Sequence, residues 1–99
     1  MTKQKLKKQL KEAIIKNPSI SKIKKVSLFG SHLHGAARDE SDIDLLVEFS
    51  TPVGFFELAH IEDSLQQELG NKVDLLTPKA LSKYFRDEVL AEAECVYER

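Results

Sequence analysis

Three aspartates and a glycine-serine turn are the residues of this chain whose types and spacing suit chemistry on a phosphate. They stand as Gly30-Ser31, Ser41-Asp42-Ile43-Asp44 and, well downstream, Val73-Asp74-Leu75. A strand sends side chains i and i+2 to one face. Asp42 and Asp44 therefore project together, while Ile43, Leu45, Val47 and Phe49 line the opposite, core-facing side. Their Cα atoms would lie about 6.5–7 Å apart, and both carboxylates then reach one ion, or two ions about 3.5–4 Å apart. Asp74, at the end of a separate short strand, is placed to join them in a small sheet. Three carboxylates so gathered repel one another without a cation. Mg2+ takes such hard oxygen ligands and shares them with substrate phosphates.

Gly30 and Ser31 close one apolar run and precede a short helical turn predicted over 31–37. Glycine lets backbone approach a phosphate closely, and a helix start offers free N–H groups. Ser31 adds a hydroxyl, Gly35 keeps the turn compact, and Ser41 caps or orients the backbone entering the second strand. Nucleotidyl or phosphoryl transfer is mostly positioning plus charge stabilisation, so a phosphate cradle beside a metal-holding carboxylate pair is a coherent machine. Each signal alone is weak; their combined order is specific. His32 and His34 read as loop residues rather than a zinc pair, because no cysteine or third histidine is spaced to complete one.

The elements that must position these groups follow from periodicity. Leu6, Leu10, Ala13 and Ile14 have helical spacing from Thr2, the cap, to about Lys16, and Asn17-Pro18 ends the helix. Ile23–Phe29 and Asp42–Phe49 read as strands. Phe55, Leu58, Ile61, Leu65 and Leu69 form the buried stripe of a helix closed by Gly70. Lys72–Leu76 is a third strand, and Thr77-Pro78 starts a last helix whose buried stripe is Leu81, Phe85, Val89 and Ala93. Tyr84 and Tyr97 read as packing or partner-contact residues. The order is helix-strand-strand-helix-strand-helix, an α/β layer packing.

At 99 residues the chain reads as one domain over 1–99, a basic helix over 1–17 preceding a motif-bearing core over 20–99. Its net charge of −1 hides an asymmetry. Residues 1–25 hold nine lysines against Glu12 alone, a net +8, and the other 74 carry six basic and fifteen acidic groups, a net −9. The lysines lack interleaved aromatics to stack bases, so they read as a solvated helix face. No apolar stretch approaches a membrane span. The lysine-rich start has no apolar signal region. Cys95 alone makes no internal disulfide. A cytoplasmic location is the expectation.

The run GSHLHGAARDESDIDLLVEF resembles the Gly-Ser…Ser-Asp-x-Asp signature of the DNA polymerase β-like nucleotidyltransferase superfamily. It is closest to the minimal nucleotidyltransferases, the MNT-domain antitoxins, and the likeness covers residues 20–99. It implies a small mixed β-sheet flanked by helices, with Gly30 and Ser31 on the triphosphate of ATP. It implies that Asp42 and Asp44 bind Mg2+, in two ions, and that Asp74 completes the metal site and helps activate the attacking hydroxyl. Members commonly act beside a HEPN-domain toxin, and some transfer AMP from ATP to a toxin tyrosine, silencing it. One departure stands out: His34 occupies the place of the family's basic residue before the second glycine, and Arg38 is the nearby candidate to supply the missing charge at the nucleotide.

The reading is thus a Mg2+-dependent protein adenylyltransferase acting as antitoxin on a HEPN toxin. The alternative is an antitoxin that neutralises by binding alone, through Phe85, Leu90 and Val96, with a vestigial nucleotide site. An enzyme acting on nucleic acid has only the basic N-terminus for support. Nucleotide preference, number of AMP units, acceptor residue and oligomeric state are not written in these residues.

Overall fold

The computed structural model describes residues 2–30 and 42–99. The chain runs α1 (Lys3–Lys16), a 3-10 turn (Ile20–Lys22), β1 (Ile23–Phe29), β2 (Ile43–Phe49), α2 (Phe55–Leu69) and β3 (Val73–Leu76). A second 3-10 turn (Pro78–Ala80), α3 (Arg86–Glu92) and β4 (Glu94–Glu98) complete it. The strands form one mixed sheet in the order β3-β2-β1-β4. β1 is antiparallel to both neighbours, and β2 is parallel to β3. That parallel pair requires a crossover, which α2 supplies.

Local chemistry sets the boundaries. The Thr2 hydroxyl accepts the Lys5 N–H at 3.2 Å, capping α1. Asn17 ends α1 in extended geometry, its side chain accepting the Ser19 N–H at 2.9 Å. α2 stops at Gly70, whose φ of +76° places it in the left-handed region where a side chain would be strained. The core lies between one sheet face and the two long helices. Leu6, Leu10, Ala13 and Ile14 of α1 and Ile61 and Leu65 of α2 pack on Val26, Leu28, Ile43, Leu45, Val47, Val73, Leu75 and Val96. The apolar stripe of the N-terminal helix is therefore part of the core that the motif-bearing strands use.

Three expectations are corrected. Phe55 is not core: it is 80% exposed, because the helical stripe starts a turn before α2 reaches the sheet. Nor does one long helix follow Thr77-Pro78. The chain makes a 3-10 turn, then a reversal in which Ser82 accepts the N–H groups of Tyr84 and Phe85. Of the expected stripe only Leu81 is buried; Phe85 is 51% exposed. The segment Glu94–Glu98 is a fourth strand, pairing with β1, so Val96 belongs to the core and not to a docking helix. Cys95-Val96-Tyr97 carried the β signal, overridden in the helical reading by the spacing of Leu81, Phe85 and Val89.

Candidate active site

The second strand presents Asp44 and the third Asp74 on one rung: the parallel register pairs Ile43 with Val73 and Asp44 with Asp74. Paired residues of a ladder share a face, with strands about 4.8 Å apart. Asp42 precedes β2 by one residue, and alternation sets it on the side of Asp44. The opposite side holds Ile43, Leu45 and Val47, each at most 1% exposed, so burial fixes which way the acidic set points. The residue across from Asp44 on the other neighbour is Phe29, the last of β1.

Gly30 follows Phe29 with φ +82°. A Cβ placed there would collide with the Asp44 carboxylate and stand 3.2 Å from the Asp44 Cβ. The turn after β1 thus brings bare backbone against the acidic face. Ser31, Arg38, Ser41 and the two histidines, with the expected helical turn over 31–37, lie outside the described residues.

The same register carried back one residue sets Lys72 beside Asp42. Lys72 Nζ is 3.8 Å from Asp42 Oδ2, and the Lys72 carbonyl accepts the Ile43 N–H at 2.8 Å. No motif marks this lysine, although its spacing to Asp74 repeats that of Asp42 to Asp44. One rung further in, Leu46 pairs with both Ser27 and Leu76. Leu46 and Ser27 are buried, and the Pro78–Ala80 turn packs against β2, so the acidic face is floored beyond its first rungs.

The edge strand is held by α2. Gln66 Oε1 accepts the Val73 N–H at 3.0 Å and Glu62 Oε2 the Leu75 N–H at 2.9 Å, the outward donors flanking Asp74. These bonds satisfy the edge and fix the height of Asp74 on its strand.

The donors are hard carboxylate oxygens on adjacent strands, the set that Mg2+ takes. In kind and in shared face Asp42, Asp44 and Asp74 fit such an ion. Among the described residues, no three acidic, histidine or cysteine side chains converge as they stand on a common point that would hold one. Asp42 has the Lys72 ammonium within ion-pair reach. Among the described residues no helix is long and apolar enough to cross a membrane.

The chain is similar in sequence and in fold to known proteins. The sequence pattern of the family described as Polymerase beta, Nucleotidyltransferase matches residues 8–99. A Methanocaldococcus jannaschii protein whose name sets it among the protein adenylyltransferases is 35% identical over 71 residues, 72% of this chain and 76% of that protein. A solved structure described as a minimal nucleotidyltransferase superposes with TM-score 0.76 at 32% identity, covering 94% of each chain. The complex of a tri-AMPylated Shewanella oneidensis HEPN toxin with its MNT antitoxin contains a chain of the same fold, TM-score 0.68 at 21% identity, covering 94% of this chain and 73% of that one.

Proposed function

We propose, for a chain that belongs to the polymerase β nucleotidyltransferase family, that it transfers AMP from ATP to a tyrosine hydroxyl of a HEPN-type toxin and so acts as its antitoxin. The observation that carries the reading is the rung pairing Asp44 with Asp74, with Asp42 on the same face and the left-handed Gly30 against Asp44. The relatives' protein-adenylyltransferase names support the reaction class, and the AMPylated toxin complex supports the partner.

The acceptor oxygen attacks the α-phosphorus, the bond to the bridging oxygen breaks, and pyrophosphate leaves. Asp74 orients the acceptor hydroxyl and takes its proton. Asp42 and Asp44, with Asp74, would hold Mg2+, which supplies charge neutralisation at the triphosphate. Gly30, having no side chain, lets its backbone lie against the Asp44 carboxylate, beside the place the phosphates would take. Ser31, Ser41 and Arg38 are assigned to the nucleotide on the sequence signature alone. Reaction depends chiefly on how firmly the two strands fix their carboxylates, since positioning is most of the catalysis.

The test is transfer of label from α-phosphate-labelled ATP to co-purified toxin. Asp42→Asn and Asp44→Asn should each remove the label, by about 100-fold or more, with the fold retained by circular dichroism. Label persisting in both variants would sink the proposal. Toxin that stays inhibited by unlabelling variants would favour neutralisation by binding alone.

A further inference from the structure

Lys72 stands with the three aspartates as the fourth corner of a square on the sheet face: Asp42 and Asp44 on one strand's line, Lys72 and Asp74 on the other's. We infer that Lys72 is an internal counter-cation, pairing with Asp42 while the site carries no divalent ion and releasing it when nucleotide and ion arrive together. The inference rests on the metal-site reading above.

Three observations carry it. The Lys72 ammonium stands 3.8 Å from the Asp42 carboxylate, and among the described residues no three acidic, histidine or cysteine side chains are gathered as for a cation. Both side chains are substantially exposed, 66% for Lys72 and 46% for Asp42, so the pair is weak and can open. The structural part of Lys72, its carbonyl bond to the Ile43 N–H, belongs to the backbone and survives any side-chain change.

A cation arriving at the aspartates meets the ammonium as competitor and as like charge. A triphosphate arriving with it offers the freed ammonium new anionic oxygens. Nucleotide therefore raises ion affinity and, by reciprocity, the ion raises nucleotide affinity. Lys72 makes the site reluctant to take an ion alone and readier to take ion and nucleotide as one.

The experiment titrates Mn2+ into the full chain, following free Mn2+ by electron paramagnetic resonance with and without a non-hydrolysable ATP analogue. Lys72→Met should bind Mn2+ alone about 3- to 10-fold more tightly, and the enhancement given by nucleotide should shrink. Lys72→Arg should behave as the parent. Lys11→Met, a charge removed from the exposed side of α1, should change affinity less than about twofold. Unchanged or weaker binding in Lys72→Met, or an equal gain in Lys11→Met, overturns the inference. If the parent labels its partner and binds Mn2+ while Lys72→Met is unchanged, only the counter-cation role falls. If the parent binds no Mn2+, the metal-site reading falls with it.

Discussion

Gly30 and Asp44 share a space that neither could share with a larger neighbour. Gly30→Ala introduces a side chain at φ +82° and against the Asp44 carboxylate. It should cost about 1–3 kcal/mol in urea unfolding and cut transfer more than its stability loss explains, because Asp44 must move. A variant with full transfer would show that the approach of backbone to carboxylate is incidental. At this scale the sequence was most legible for the aspartates, since Asp-x-Asp at strand spacing and a third aspartate between Val73 and Leu75 leave few ways to face. Lys72 was not legible. Its meaning depends on β3 lying parallel and in register beside β2, a relation that spacing along one strand does not contain.

Among the elements, β3 pairs with β2 on one edge and has its other edge capped by side chains of α2 rather than by a further strand. Gln66→Ala and Glu62→Ala each leave an outward N–H of β3 without its partner, at about 1–3 kcal/mol apiece. Hydrogen exchange at Val73 and Leu75 should quicken in the respective variants, and an unmoved rate would deny the capping role. α1 is tied to the start of β4 by Lys3 and Lys7 on Glu94, and α2 to the turn before β1 by Lys22 on Glu57. The Lys3 hydrogen bond chiefly holds the Glu94 carboxyl below its ordinary 4.5, and the Lys22 hydrogen bond does the same for Glu57. A carboxyl depressed in the fold adds stability that is present above its unfolded value and lost as pH falls through the folded one. Both groups are exposed, so the contribution is small and salt-sensitive. Melting curves at low salt should decline less steeply below pH 4.5 in Lys3→Met/Lys22→Met than in the parent. The strands at Ile23–Phe29 and Ile43–Phe49 and the helix ending at Gly70 were readable because turn residues bracket them. β4 was not, because the β signal of Cys95-Val96-Tyr97 is short and the helical spacing of Leu81, Phe85 and Val89 runs up to it.

For the molecule as a whole, the basic N-terminal helix is not an appendage. Leu10 is fully buried, and Leu10→Ala should cost about 2–5 kcal/mol. Phe55→Ser, at a site 80% exposed, should change stability by less than about 0.5 kcal/mol. Chemical denaturation of the two variants separates core from surface, and equal losses would contradict the placement of α1. The +8 of residues 1–25 lies on α1 and on the turn and strand that follow it, against −9 in the remainder, and Lys3 and Lys7 of α1 meet Glu94 across that divide. The crossover between β2 and β3 has a consequence in time. Asp74 reaches the rung of Asp44 only once α2 has been made and has folded back across the sheet, so the shared acidic face is completed late in the chain and not by β1 and β2 alone.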